Sequence, residues 1–222
     1  LLDLNQKSVK KALLDRIDAN IQSEESLRKN GERLYAKIKD EVKEVVENAS
    51  EHRIFSYEND LYKFGSKYIS KPGNDMASQY LYDKFASFGY EPEFQWFTPR
   101  GEVYNGKTAN VIATLKGTTN PELVYVVSSH YDSVEDGPGA DDNTSGTSAL
   151  LEAARIMSKH PMPCTIMFLA FTGEEAGLLG SREFVRQAVA KEIKIVGALN
   201  NDMVGWANNS RLDNTIRYSN EG

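Results

Sequence analysis

Cys164 is the only cysteine in 222 residues, so no internal disulfide can form. Its place in the apolar run CTIMFLAF reads as a buried, inert thiol. No apolar run approaches the roughly 18 residues that a membrane span requires. Basic charge is not in excess either: 26 Lys and Arg stand against 32 Asp and Glu, for a formal net charge of -6. That argues against nucleic acid as the main partner, because phosphate binding needs a basic face. The chain opens on Leu1 with no positively charged leader and no apolar centre behind one. It therefore reads as a processed or trimmed product that has lost any export signal; the compartment is unknown from the sequence, with an exported (periplasmic or secreted) location expected over a cytoplasmic one. No Gly-x-Ser-x-Gly elbow accompanies Ser128-Ser129-His130. No Walker-type loop is present, and GPGADDNTSG is acidic where phosphate would have to bind. Repeats and low-complexity tracts are absent too.

What is present suits a soluble globular protein: 40% hydrophobic and 26% charged residues, enough for one well-buried domain with or without an appendage. Residues 1–50 have a texture of their own. Val9, Leu13, Ile17 and Ile21 recur at helical spacing, as do Leu34, Ile38, Val42 and Val45, amid Lys, Arg, Asp and Glu. One long or two consecutive amphipathic helices follow, with a break at Asn30-Gly31. This arm either packs on the main domain or serves as a pro-segment or oligomerisation element.

Residues 51–222 read as a separate, folded domain. Asp60 to Tyr90 is helical, with a turn at Ser70-Lys71-Pro72-Gly73-Asn74 and a helix from Met76 to Phe88 stopped by Gly89. Glu91 to Thr98 suggests an edge strand. Strands are then expected at Ala109–Leu115, Glu122–Ser129, Cys164–Thr172 and Ile193–Asn200, alternating with helices at Thr147–Met157 and Leu178–Ala188. This rhythm predicts a three-layer α/β/α sandwich around a mostly parallel sheet.

Three of those strands end in polar residues that a strand end does not need for stability. LVYVVSS runs into His130-Tyr131-Asp132, IMFLAFTG into Glu174-Glu175, and IVGALNN into Asp202. Ligands of open α/β sheets bind beyond the carboxyl ends of strands, so these groups should converge there. Asp141-Asp142-Asn143 joins them from a Gly/Pro-rich loop before a helix. Clustered carboxylates repel one another and resist desolvation, and a divalent cation reverses both costs. In His130-x-Asp132 the aspartate can accept the second imidazole N–H and orient a metal-bound ring. Of two adjacent glutamates leaving a strand, one can bind metal while its neighbour acts as general base. His52 and His160 have no acid at ligand spacing and read as surface or structural residues.

The strings SSHYDS, GPGADDNTSG, FTGEEAGLLGS and NNDMVG, in that order, resemble the co-catalytic zinc aminopeptidases, a family that also contains glutaminyl cyclases and transferrin-receptor-like proteins. The resemblance runs from about Asp60 to Gly205. It implies that His130 and Asp202 bind a first zinc, that Asp142 bridges two zinc ions and that Glu175 ligates the second. It further implies Glu174 as the general base toward the attacking water, Asp132 as the partner of His130, and an Asp142–Asn143 peptide of the kind often cis in this family. The substrate is then a peptide with a free N-terminus, and the activity aminopeptidase. The family's second histidine ligand, downstream of the position of Asp202, has no counterpart, because no histidine follows His160. The chain is therefore expected to be an incomplete, inactive portion, without the family's oxyanion and specificity residues. A glutaminyl cyclase-like acyltransferase and a non-catalytic receptor-like relative are the alternatives. The small residues after the glutamate pair and the retained ligand set favour the aminopeptidase.

Overall fold

The computed structural model describes residues 7–99 and 104–206. Internal contacts divide the chain into two units, residues 1–48 and 49–222. The first six residues of the helical arm and everything after Trp206 lie outside the described residues.

In the first unit, α1 (Lys7–Tyr35) is followed by α2 (Lys39–Glu47). The helix does not break at Asn30-Gly31 as expected. A single interior glycine costs only about 1 kcal/mol, which a long helix absorbs. The break falls at residues 36–38, where the ladder tightens: Lys37 N–H donates to the Leu34 carbonyl at 3.1 Å and Ile38 N–H to that of Tyr35 at 2.9 Å. Leu13, Ile17, Ile21, Leu34 and Ile38 are all exposed, and α2 buries no residue.

The second unit adds α3 (Glu51–Tyr62), α4 (Pro72–Ser87), α5 (Gly146–Met157) and α6 (Leu179–Ala190). Its strands are β1 (Glu93–Phe97), β2 (Thr108–Leu115), β3 (Asn120–His130), β4 (Cys164–Phe171) and β5 (Lys194–Asn200). Helix α3 was not expected to begin as early as Glu51. Ser50 caps it, accepting from the Arg53 N–H at 3.4 Å. Its own N–H donates to Glu152, which also accepts from Arg155. Helix α4 opens at Pro72, four residues before the expected Met76. Proline tolerates the first helical position because its missing N–H has no partner there anyway, so the turn signal at residues 70–74 is a helix start.

The sheet has the order β1-β2-β4-β3-β5. Strands β3, β4 and β5 are mutually parallel, and β2 alone runs against the rest. One face carries α3, α4 and α5 over a core that includes Leu61, Leu81, Phe85, Leu150, Leu151 and Phe168. The other face packs Ile112, Val126, Met167 and Leu169 under Phe184 and Ala188 of α6. Strand β4 is buried along most of its length, which is why it reads as an unbroken apolar run. Cys164, at its start, is only half-buried. By contrast β5, at the sheet edge, has almost every side chain exposed. Since β3, β4 and β5 share a direction, His130, Glu174 and Asp202 leave the sheet at the same end.

Candidate metal centre

The end of β3 is fixed from both sides. Tyr131 N–H donates to the Phe171 carbonyl at 2.8 Å. Thr147 Oγ1, at the start of α5, donates to the His130 carbonyl at 2.9 Å. Strand alternation then turns Tyr131 into the core, where its hydroxyl donates to the Ala109 carbonyl at 2.8 Å. His130 and Asp132, flanking it, face the opposite way and are also buried.

The His130 ring lies among carboxylates. Nε2 is 3.1 Å from Asp142 Oδ1 and 3.8 Å from Asp202 Oδ1. Nδ1 is 3.4 Å from Asp132 Oδ1, and among the described residues it makes no hydrogen bond. One ligand atom each from His130, Asp142 and Asp202 lies within 4.8 Å of the other two. Glu174 and Glu175 are outside that set, in the turn after β4. Both are placed by Asp132, whose Oδ1 accepts the Glu174 N–H and whose Oδ2 accepts the Glu175 N–H, each at 3.2 Å. Glu174 lines a cleft of about 390 Å³ together with His130, Phe171, Leu178 and Asp202. Clefts of about 480 Å³ beside Trp96 and beside Tyr57 are larger, but neither gathers such donors.

Asp142 lies in a π-type turn, Ala140–Ser145, whose helical course is interrupted at Asp142 and Asn143, and the peptide between those two is cis. Asn143 is fully buried. Its Nδ2 donates to the Asn201 carbonyl at 2.9 Å, and its Oδ1 accepts from Met203 N–H at 3.2 Å and Gly146 N–H at 3.1 Å. Gly146 must be glycine here: a Cβ would press into Asn143 Oδ1 and the Asn201 carbonyl.

The electrostatics are those of a cluster awaiting positive charge. Burial pushes the Glu174, Glu175 and Asp202 carboxyls up, and neighbouring carboxylates push further against the pull of His130. Burial alone would lower the His130 imidazole, but Asp132 beside Nδ1, then Glu174 and Asp202, raise it to about 9. Without metal, imidazolium is thus the cation between Asp142 and Asp202. Among the described residues, Glu175 Oε1 is buried without a hydrogen-bond partner. One imidazole nitrogen with carboxylate oxygens, and a stranded carboxylate oxygen beside them, is a donor set that fits zinc.

A pH dependence follows. His130 is raised from 6.5 to about 9, so its contribution to stability is complete below about pH 6.5 and is lost as pH rises through about 9. The raised carboxyls have the same sign, since the folded state holds their protons more tightly than the unfolded chain. Melting of metal-free protein should therefore shift to lower temperature between pH 6.5 and 9, while zinc flattens the trend by taking the proton's place. Zinc titration near pH 7.5 in buffers of different ionisation enthalpy should show release of about one proton per ion. A metal-free melting temperature that climbs over this range would refute the charge assignment.

Residues 110–221, half of the chain, match the model of Peptidase family M28. The chain belongs to that family. Among its relatives, a probable zinc metalloprotease of Pyricularia oryzae is 42% identical over 113 residues, covering 47% of this chain and 22% of that protein. Aminopeptidase YwaD of Bacillus subtilis is 43% identical over 117 residues, covering 50% of this chain and 26% of that protein. The chain thus spans well under half the length of these relatives. LapB from Legionella pneumophila shares the fold with a TM-score of 0.69 at 22% identity, over 78% of this chain and 49% of that one. Solved glutaminyl cyclases share it as well.

Three contributors to this cluster go beyond what sequence reasoning assigned. That reasoning gave Asp132 to His130 alone and did not see that both its oxygens grip the glutamate turn. Lys67 went unnoticed, since nothing in FGSKYIS marks it. It is fully buried, its N–H donates to Ser133 Oγ at 2.9 Å and its Nζ to the Pro138 carbonyl. Burial lowers its ammonium to about 8, against the pull of Asp132. The third contributor is the pair Asp141 and Ser145, taken up below. Among the described residues, no helix is long and apolar enough to cross a membrane.

Proposed function

We propose that the protein is a zinc aminopeptidase that removes the N-terminal residue of peptides. The observation that carries the reading is the convergence of His130, Asp142 and Asp202, with the carboxylate of Glu174 in the same cleft. His130, Asp142 and Asp202 would hold one ion, and Asp142 and Glu175 are the donors available to a second. Bound zinc supplies Lewis acidity, lowering the pKa of the attacking water and polarising the scissile carbonyl.

The remaining work falls to the chain itself. Glu174 takes a proton from water as the oxygen bonds to the carbonyl carbon, and returns it to the nitrogen as the C–N bond breaks. A raised carboxyl pKa suits that exchange near neutral pH. Asp132 fixes the turn from which Glu174 reaches the cleft. The negative field of Glu174, Glu175 and Asp202 favours a substrate end that carries a free ammonium.

The test uses full-length protein with three substrates: an aminoacyl anilide, its N-acetylated form and an N-terminal glutaminyl peptide. Cleavage of the first alone, abolished by a chelator and restored by zinc, is expected. Equal cleavage of the acetylated substrate would make the enzyme something other than an aminopeptidase. Cyclisation of the glutaminyl peptide without anilide cleavage would make it an acyltransferase, and zinc binding with neither activity a non-catalytic relative.

A further inference from the structure

Asp202 has an unusual support. Strand β5, which leads to it, is exposed along nearly its whole length, and the residues from Asn201 to Trp206 bury no side chain. Packing therefore does not fix this carboxylate, although its oxygen must stay within a few ångströms of those of Asp142. Main-chain pairing with β3 ends at Ser128, where Asn201 N–H donates to the Ser128 carbonyl at 2.8 Å.

Beyond that point the Ala140–Ser145 turn takes over. Gly205 N–H donates to Asp141 Oδ1 at 2.9 Å, and Val204 N–H to Ser145 Oγ at 3.0 Å. Ser145 Oγ in turn donates to the Asp141 carbonyl at 2.7 Å and lies 3.2 Å from Asp141 Oδ1. With Asn143 on Asn201 and Met203, three alternate side chains of one turn hold main-chain groups on both sides of Asp202. The same turn carries Asp142.

We infer that Asp141 and Ser145 are positioning residues, which clamp the Asp202 segment onto the turn bearing Asp142 and so set the separation of the two carboxylates. Neither is a ligand. Asp141 spends its Oδ1 on Gly205 and Ser145, and it works as a hydrogen-bond acceptor, not as a charge. This inference rests on the metal-centre reading but not on the peptidase reaction.

Charge and acceptor separate cleanly at Asp141, since asparagine keeps the Oδ1 acceptor and discards the charge. Zinc affinity of the full chain is measured by competition with a chromophoric chelator, and amide exchange at Val204 and Gly205 by NMR or mass spectrometry. Asp141→Ala and Ser145→Ala should each weaken zinc about 10–100-fold, the range seen when a group orienting a metal ligand is lost. Exchange at Val204 and Gly205 should quicken by about tenfold or more, with β3 and β4 amides unaffected. Asp141→Asn should stay near wild type in both. A substituted cobalt ion should show an altered visible spectrum in the alanine variants and a native one in Asp141→Asn. The clamp is refuted if Asp141→Asn is as damaging as Asp141→Ala, which would make charge the operative property. It is equally refuted if both alanine variants bind zinc like wild type. Should one alanine variant fail to fold, the other carries the same test. Wild-type zinc binding without peptide cleavage would leave the clamp standing and remove the aminopeptidase reading alone.

Discussion

Glu174→Gln should lower turnover by about 10²–10⁴-fold in the full-length protein and leave its zinc content unchanged. Glutamine has the size and the hydrogen-bonding reach of the residue it replaces, and the turn that presents it is held through main-chain amides by Asp132. In the mechanism proposed above, what disappears is the ability to accept a proton from water and hand it on. Glu174 stands outside the set formed by His130, Asp142 and Asp202, so metal content should not follow. Glu175→Gln is the control. Its buried Oε1 has no hydrogen-bond partner among the described residues, and losing a carboxylate there should reduce the occupancy of the weaker ion. Metal analysis by mass spectrometry alongside anilide hydrolysis reads both. Zinc lost from Glu174→Gln and kept in Glu175→Gln would mean that the two glutamates had been assigned in reverse.

Asp142→Ala should be the most damaging single change to function, with activity falling on the order of 10⁴-fold because the Lewis-acid contribution of the metal goes with it. Its oxygen is the one nearest His130 Nε2, and it is the donor that both proposed ions share. The metal-free protein tells the opposite story. Losing the 3.1 Å contact to His130 is offset by relief of the repulsion that Asp142 exerts on Asp202, Glu174 and Glu175. Since its side chain is 46% exposed, no cavity is left behind. Calorimetry with a chelator present should thus give a melting temperature close to wild type, and zinc should raise that of wild type alone. A variant that melts far lower without metal would show Asp142 to be chiefly a structural residue.

Strand ends were readable because chemistry and burial collide there. A run such as LVYVVSS announces a buried strand, and His130 and Asp132 directly after it have no reason to be buried except a task. Glu174 and Asp202 were legible from position alone: each follows an apolar run, although Glu174 is half-buried and Asp202 is exposed at the end of an exposed edge strand. Local propensity served less well where it competes with length or position. Gly31 was too weak a signal to stop a 29-residue helix, and Pro72 meant a beginning, not a turn. What stayed hidden depends on adjacency in space alone. Lys67 meets Ser133 and Pro138 only after the fold has brought α4's leading segment against the loop after β3. Asp141 and Ser145 reach Gly205 and Val204 across some sixty positions. A serine and an aspartate in an acidic loop look like helix capping until the partner strand is in place.

The inward turn of Tyr131 has an evolutionary consequence. At the end of β3, three consecutive letters answer to three different pressures. Tyr131 belongs to the core shared with Leu81 and Phe168, so a descendant that abandoned catalysis would have to keep it in order to fold. His130 would be released, because the charged partners of its ring among the described residues are carboxylates whose pairing with it such a descendant no longer needs. Asp132 sits between these fates: freed from the imidazole, it would still be held by the two amides of the turn after β4. Decay of the motif in an inactive lineage would therefore be uneven, beginning at its histidine and sparing the tyrosine beside it.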